Sequence, residues 1–222
     1  LEGWLARLET LHPVTIDMGL ERVRCVRDAM GLAPGFPLII VGGTNGKGSV
    51  CAMVSTILAR AGYKVGTYTS PHLVRYNERV ALNMQPVDDA CLMRAFATVE
   101  SGRGETGLTY FEFGTLAAMQ VFIEAGVDVA VLEVGLGGRL DATNIVDAAV
   151  SVVTSIALDH TDWLGSDRES IGREKAGIFR AGKPAVVGEP DMPQSIADVA
   201  QEKQSDLYRR DTNWHFTASD QS

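Results

Sequence analysis

Apolar and polar positions along this chain switch between two spacings, and the switch points mark its elements. Residues 1–12 place Trp4, Leu5, Leu8 and Leu11 on one face of a short helix that stops near Pro13. A second helix is expected to start at Asp17 as its N-cap, with Leu20, Val23, Val26 and Met30 at helical spacing. It ends at Gly31, ahead of Pro34-Gly35. The unbroken run Leu38-Ile39-Ile40-Val41 reads as a strand buried on both faces. Beyond a glycine-rich turn the helical period returns from Val50 to Ala61, with Val50, Met53, Val54, Ile57 and Leu58 expected on its inner face.

The alternation continues to the end of the chain. Strands are expected over 64–69, 127–134, 150–156 and 185–188, and helices over 88–100, 110–125, 168–179 and 193–203. Residues 101–107 (SGRGETG) read as a loop between two of the helices. Strands alternating with helices imply an α/β fold, a mostly parallel sheet with helices on both faces. The tail 207–222 offers one more strand without an evident core, so a domain over 1–206 followed by an incomplete continuation is expected. The chain opens on Leu1 rather than methionine and carries no basic-then-apolar leader, which reads as a processed or truncated protein.

Composition narrows the partners. Hydrophobic residues make up 45% and charged residues 22%, a globular balance. No apolar run reaches the roughly 18–20 residues that span a bilayer, so no membrane partner is expected. Lysine and arginine total 20 against 28 aspartates and glutamates, a net charge of −8, which argues against a nucleic-acid partner. Cys25, Cys51 and Cys91 stand far apart in apolar or helical settings, forming neither a disulfide framework nor a metal pair. They fit a reducing, cytoplasmic location.

The chemistry begins between the first buried strand and the helix after it. Gly42-Gly43-Thr44-Asn45-Gly46-Lys47-Gly48-Ser49 is a P-loop-like turn: glycines let backbone N–H groups converge on phosphate oxygens, and the helix N-terminus favours an anion. Thr44, Asn45, Gly46, Lys47, Gly48 and Ser49 are therefore the expected nucleotide-binding residues, with Lys47 reaching the terminal phosphates. Gly48 separates the lysine from Ser49, a departure from the strict Gly-Lys-Ser/Thr pattern, so Ser49 does not inherit the usual magnesium role. Glu133 ends an apolar strand at the carboxyl edge where parallel sheets place their ligands, and its oxygens suit a hard cation. Ser70 and His160 follow strands in equivalent positions. A histidine there is either a metal ligand or a hydrogen-bonded structural residue, and periodicity alone makes Lys175 a solvated helix residue.

Five strings together resemble one family. They are Ile16-Asp17-Met18-Gly19-Leu20-Glu21-Arg22; GTNGKGS over 43–49; Thr69-Ser70-Pro71-His72-Leu73 with Asn77-Glu78-Arg79; Glu133 through Asn144 (EVGLGGRLDATN); and Asp159-His160 with Glu174-Lys175-Ala176-Gly177-Ile178. In order and spacing, from about residue 1 to about 190, the chain is similar to the folylpolyglutamate synthase/dihydrofolate synthase branch of the Mur ligase superfamily. The resemblance implies a P-loop NTPase-like central domain. It implies an ATP-dependent ligase of folate biosynthesis that adds L-glutamate to dihydropteroate, to folates, or to both, through an acyl phosphate.

It further implies Lys47, Lys175 and His160 as catalytic residues, ATP with two magnesium ions, and Ser70, Glu133 and His160 as metal ligands. Lys175 is implied to be carbamylated. Thr15, Ile16, Asp17, Thr109, Leu140, Asp141 and Ala142 are implied to contact the pterin-bearing substrate. A monomer about twice this length is implied, whose glutamate-binding C-terminal domain and nucleotide-base contacts lie outside these 222 residues, so this piece alone is expected to turn over poorly. Two rivals keep their place: a Mur-type cell-wall ligase, disfavoured by the loop ending and by the Thr-Ser-Pro-His string, and a P-loop regulatory module that only binds ATP. Phe111 and Phe113 read equally as pocket walls or as core, and Arg79 and Arg139 as anion contacts or as surface ion pairs.

Overall fold

The computed structural model describes residues 1–12, 14 and 16–216. In chain order the elements are α1 (Glu2–Thr10), α2 (Glu21–Ala29), β1 (Leu38–Gly42), α3 (Lys47–Arg60), β2 (Val65–Tyr68), β3 (Val80–Leu82), β4 (Gln85–Pro86), α4 (Asp89–Arg103) and α5 (Tyr110–Ala125). They continue as β5 (Val129–Glu133), β6 (Val150–Val153), α6 (Thr161–Leu164), α7 (Arg168–Ala176), β7 (Pro184–Val187), α8 (Gln194–Glu202) and β8 (Asp206–Arg209). One sheet of eight strands runs in the order β4-β3-β2-β5-β1-β6-β7-β8; every pairing from β2 to β8 is parallel, and β3 and β4 join antiparallel at one edge.

The register decides where chemistry collects. Val41 of β1 lies opposite Glu133 of β5 on one side and Val152 of β6 on the other, so three strands end level. Neither neighbour of β1 is its sequence neighbour, since the crossover through α3 passes over β5 to reach β2. That reversal opens a crevice at the carboxyl ends of β1, β5 and β6, the usual ligand position of such sheets.

Two apolar cores hold the layers. The larger, on the α5 side, gathers Phe96, Phe113, Phe122, Leu116, Leu132 and Phe179 with residues of α1, α2, α4, α7 and α8. The smaller packs Cys51 of α3 on Val41, Val65, Val129 and Val131, with Val50, Val54 and Leu58 at its border.

Several boundaries differ from the sequence reading for local reasons. Asp17 does not cap α2, because its carboxylate receives the Arg22 guanidinium at 2.7 Å; the helix starts four residues later behind Leu20 without a side-chain cap. Met53 and Ile57 point outward, at 58% and 67% exposure, since the inner face of α3 is set by Cys51 and Ser55. Helix α4 runs on to Arg103, whose guanidinium doubles back onto Glu100 at 2.7 Å, and Gly104 with φ 54° ends it. The β3–β4 hairpin carries no turn signal in the sequence, because its turn residues, Asn83 and Met84, both take left-handed φ angles without a glycine. Strand β8 straddles the boundary expected after residue 206 and pairs with β7 from Asp206 to Arg209.

The larger core is tested at Phe96, which is fully buried and meets Tyr76 and Phe113 edge-on at 5.6 Å. Phe96→Ala is expected to cost about 3–5 kcal/mol, lowering Tm by roughly 10 °C in a thermal melt.

Candidate functional site

The glycine loop is stitched to the segment that follows β6. The Thr44 N–H donates to the Ser155 carbonyl at 2.8 Å, the Asn45 N–H to Ser155 Oγ at 3.0 Å, and Thr154 Oγ1 donates to the Asn45 carbonyl at 2.6 Å. Gly43 sits at φ +140°, and a Cβ added there would lie 1.9 Å from Thr154 Oγ1, so only glycine lets the two segments touch. Gly46 takes φ +82° and turns the chain into α3, whose first N–H groups meet no side-chain cap. They stay available to an anion. Lys47 Nζ lies over its own loop, donating to the Gly43 and Thr44 carbonyls at 3.0 and 3.2 Å. Ser49 is exposed on the first turn of α3.

Glu133 stands beside that loop. It is 5% exposed, and its Oε2 accepts the Ser70 N–H at 3.0 Å. A Cβ on Gly48 would stand 3.7 Å from both carboxylate oxygens, so helix α3 begins against this acid. Burial pushes the Glu133 pKa up, against the pull of the Ser70 amide and of the charges on Lys47 and Arg79. The carboxylate and the Ser70 hydroxyl are oxygen donors of the kind a hard divalent cation takes. Among the described residues no three His, Cys, Asp or Glu side chains cluster around a common point, and His160 shares the cavity lining with Ser70. It stands on the rim in left-handed conformation, half-exposed, with Nε2 3.8 Å from Asp159 Oδ2.

Lys175 is only 4% exposed, so it is not a solvated helix residue. Burial, reinforced by the charge of Lys47, lowers its pKa to about 8, and Asp159 and Asp141 oppose that drop. The lysine is placed by an interlock of two glycine-bearing strings. The Arg139 N–H donates to the Glu174 carbonyl at 2.9 Å, a Cβ on Gly138 would meet the Glu174 and Lys175 carbonyls at 2.8 Å, and one on Gly177 would strike Arg139 at 2.3 Å. Arg139 itself forms a surface ion pair with Glu174.

A cavity of about 850 Å³ opens from this edge. Lys47, Ser70 and His160 line it together with Ile16, Asp17, Thr109, Leu140, Asp141 and Ala142, so most of the expected substrate residues share one space with the loop lysine and two of the expected metal ligands, whereas Thr44–Gly46, Gly48, Ser49 and Glu133 are not part of its lining. Thr15 lies outside the described residues. Phe111 is a wall of the cavity, and a Cβ on Gly135 would meet its ring at 2.7 Å, whereas Phe113 is fully buried in the core. Asp141 spends its carboxylate on the loop around it: Oδ2 accepts the Gly135 and Leu136 N–H groups, and Oδ1 accepts Thr143 N–H and Oγ1.

Comparison with known proteins converges on one group. The model of the Mur ligase middle domain matches residues 41–217. The dihydrofolate synthase/folylpolyglutamate synthase of Escherichia coli K12 is 60% identical over 99% of this chain and 52% of its own length. The chain belongs to the dihydrofolate synthase/folylpolyglutamate synthase family of Mur ligases. The solved structure of E. coli FolC in complex with DHPP and ADP superposes with a TM-score of 0.97 at 60% identity, over 99% of this chain and 53% of that one. A bifunctional folylpolyglutamate synthase/dihydrofolate synthase with Mn, AMPPNP and L-glutamate bound gives 0.93 at 59% identity, over 98% and 53%. The chain thus spans about half the length of the curated relatives it matches.

Within this family frame, the residue that sequence reasoning missed is Glu112. It is buried, accepts the Thr109 N–H at 2.7 Å and the Arg22 guanidinium at 3.0 Å, and ties the Asp17 segment to the start of α5. The capping-box spacing Thr109-x-x-Glu112 was its available signal.

The low pKa of Lys175 has a measurable sign. An unfolded lysine stays protonated to about pH 10.4, so between about 8 and that value the unfolded chain holds the extra proton and stability climbs with pH. Chemical denaturation in CO2-free buffer is expected to show the parent gaining roughly 2–3 kcal/mol over Lys175→Met across that window. An equal pH slope in both proteins contradicts the burial of a charged amine.

Proposed function

We propose that this chain carries the ATP-binding half of a ligase that adds L-glutamate to dihydropteroate, to folates, or to both. The observation that carries the reading is the cavity that Lys47 of the phosphate loop lines together with Asp17, Thr109 and Phe111. A flat heterocycle finds one aromatic wall and a few polar groups there, with its far end directed at the phosphates. The relatives' ligands fit that division: one structure holds DHPP and ADP, another holds AMPPNP with glutamate.

The chemistry follows from what an amide bond requires. A carboxylate oxygen forms a bond to the γ-phosphorus of ATP, the bond from that phosphorus to the β–γ bridging oxygen breaks, and ADP departs. The glutamate amine then bonds to the acyl carbon, the acyl C–O bond breaks, phosphate leaves, and the amine proton goes to solvent. Lys47 and the uncapped N–H groups of α3 stabilise negative charge on the transferring group. No residue acts as a covalent nucleophile; the one thiol beside the loop, Cys51, is buried, with its pKa pushed up to about 12. Glu133 and Ser70, with His160 from the rim, would hold a divalent cation, which when bound neutralises phosphate charge.

Lys175 belongs to the same scheme. An amine with a pKa of about 8 is partly neutral near neutrality, so its nitrogen bonds to CO2 and releases a proton to water, leaving a carbamate. Lys47, whose charge disfavours an ammonium there, favours that anion, whose oxygens would help hold a second magnesium ion. We read the protein as cytoplasmic and monomeric, acting on small molecules alone; no helix among the described residues is long and apolar enough to cross a membrane.

Ligand-induced stabilisation tests the reading. With magnesium AMPPNP and dihydropteroate each near 100 times Kd, each ligand is expected to raise Tm by roughly 5–10 °C, about 10–20 °C together, over the free protein. A nucleotide-linked muramyl substrate should add nothing beyond the nucleotide. The same rise with that substrate, or none with dihydropteroate, would sink the proposal in favour of a cell-wall ligase or a bare ATP-binding module.

A further inference from the structure

Arg79 is the most buried arginine among the described residues, at 9% exposure. The other half-buried arginines are answered by acids: Arg22 pairs with Asp17 and Glu112, Arg103 with Glu100, and Arg180 with Asp147. Arg79 has no carboxylate within 4.0 Å among the described residues. Its Nε–H donates to His72 Nδ1 at 2.8 Å, and its guanidinium carbon lies 5.5 and 5.6 Å from the ring centroids of Tyr76 and Tyr110. The Tyr68 phenol is a further polar neighbour, and the Glu133 carboxylate feels the Arg79 charge from beyond contact distance. A buried guanidinium with no carboxylate in contact is expensive to maintain.

The surroundings hold the charge in place rather than relieve it. Glu78, a residue away, spends its carboxylate on the Leu73, Val74 and Arg75 N–H groups at 2.7, 3.0 and 2.7 Å, which pins the loop that carries His72. The two ring faces and the imidazole leave the terminal N–H groups of the fork without an acid, and Arg79 lines the same cavity as Lys47, Ser70, Thr109 and Phe111. Such a fork matches a planar carboxylate oxygen for oxygen, whereas a triphosphate already has Lys47 and the α3 N-terminus.

We propose that Arg79 is the receptor for the substrate carboxylate that becomes activated, taking its two oxygens on the free edge of the guanidinium between the heterocycle wall and the phosphate cradle. This rests on the ligase reading above and adds to it the residue that selects an acid. Arg79 lets go of one oxygen as that oxygen bonds to the γ-phosphorus, and keeps the other as the developing acyl oxygen.

Equilibrium binding separates the two ideas. The probes are dihydropteroate, its carboxamide (equal in size but uncharged) and magnesium AMPPNP, titrated into the unmutated protein, Arg79→Gln and Arg79→Lys. The unmutated protein is expected to prefer the acid by about 30-fold or more, Arg79→Gln to bind acid and carboxamide alike, and Arg79→Lys to fall between. Nucleotide affinity should stay within about twofold in all three. Acid and carboxamide binding equally to the unmutated protein overturns the proposal whether or not a variant folds. So does a preference that survives in Arg79→Gln, or a matching loss of AMPPNP affinity. Should neither pterin compound bind the unmutated protein while AMPPNP does, it is the ligase reading that fails, and this proposal with it.

Discussion

The seam between the glycine loop and the residues after β6 governs the whole catalytic edge. At Gly43 the backbone comes so close to Thr154 that no side chain fits, and the next two residues, Thr44 and Asn45, are bonded to Ser155. The seam turns a flexible glycine tract into a rigid one. With Asn45 facing β6 and Gly46 in left-handed conformation, α3 must begin where it does, its first N–H groups uncapped and turned to the crevice. Satisfying them internally would have made a sturdier helix and a blind loop.

Around that seam, charge is buried in a balanced way. Glu133 and Lys175 are each nearly inaccessible, and each is pushed toward its neutral form. Neither is paired with the other. The acid leans on a backbone amide, and the amine leans on nothing stronger than the distant fields of Asp141 and Asp159. Groups left in that state respond readily to incoming charge, which is what a site that handles phosphates and carboxylates needs. The cores offset this, holding the strand that carries Glu133 and the helix that carries Lys175.

The glycine-rich string after β5 does two jobs at once. Its first part wraps the Asp141 carboxylate, which accepts four hydrogen bonds and holds the loop in one shape. Its second part, Gly138-Arg139, locks against the end of α7 and so sets the height at which Lys175 enters. Residues far apart in the chain thereby acquire a common rigid frame, and the cavity wall made by Phe111 closes over Gly135 because that position has no side chain. This arrangement makes Asp141 a member of the site through the loop it shapes.

Much of this was legible from the sequence. Strands 38–41 and 127–134 and the helix 110–125 announce themselves because apolar period and burial coincide there. The loop of 42–49 and Glu133 announce their place at the catalytic edge because glycine and acid sit where a parallel strand ends. Periodicity failed where tertiary demands outweighed it: Met53 and Ile57 fit an inward face but lie outside the footprint of the sheet, and the β3–β4 turn uses left-handed Asn83 and Met84 without glycine. Periodicity made Lys175 a solvated helix residue and left Arg79 open between an anion contact and a surface ion pair, since burial and the absence of a contacting acid belong to space rather than to spacing. The chain by itself determined which segments form the principal strands and helices and where glycine must stand, because those depend on local sterics and hydrophobic period. Only the folded sheet decided which charges are buried together, because that follows from the register at which β1, β5 and β6 come to an end.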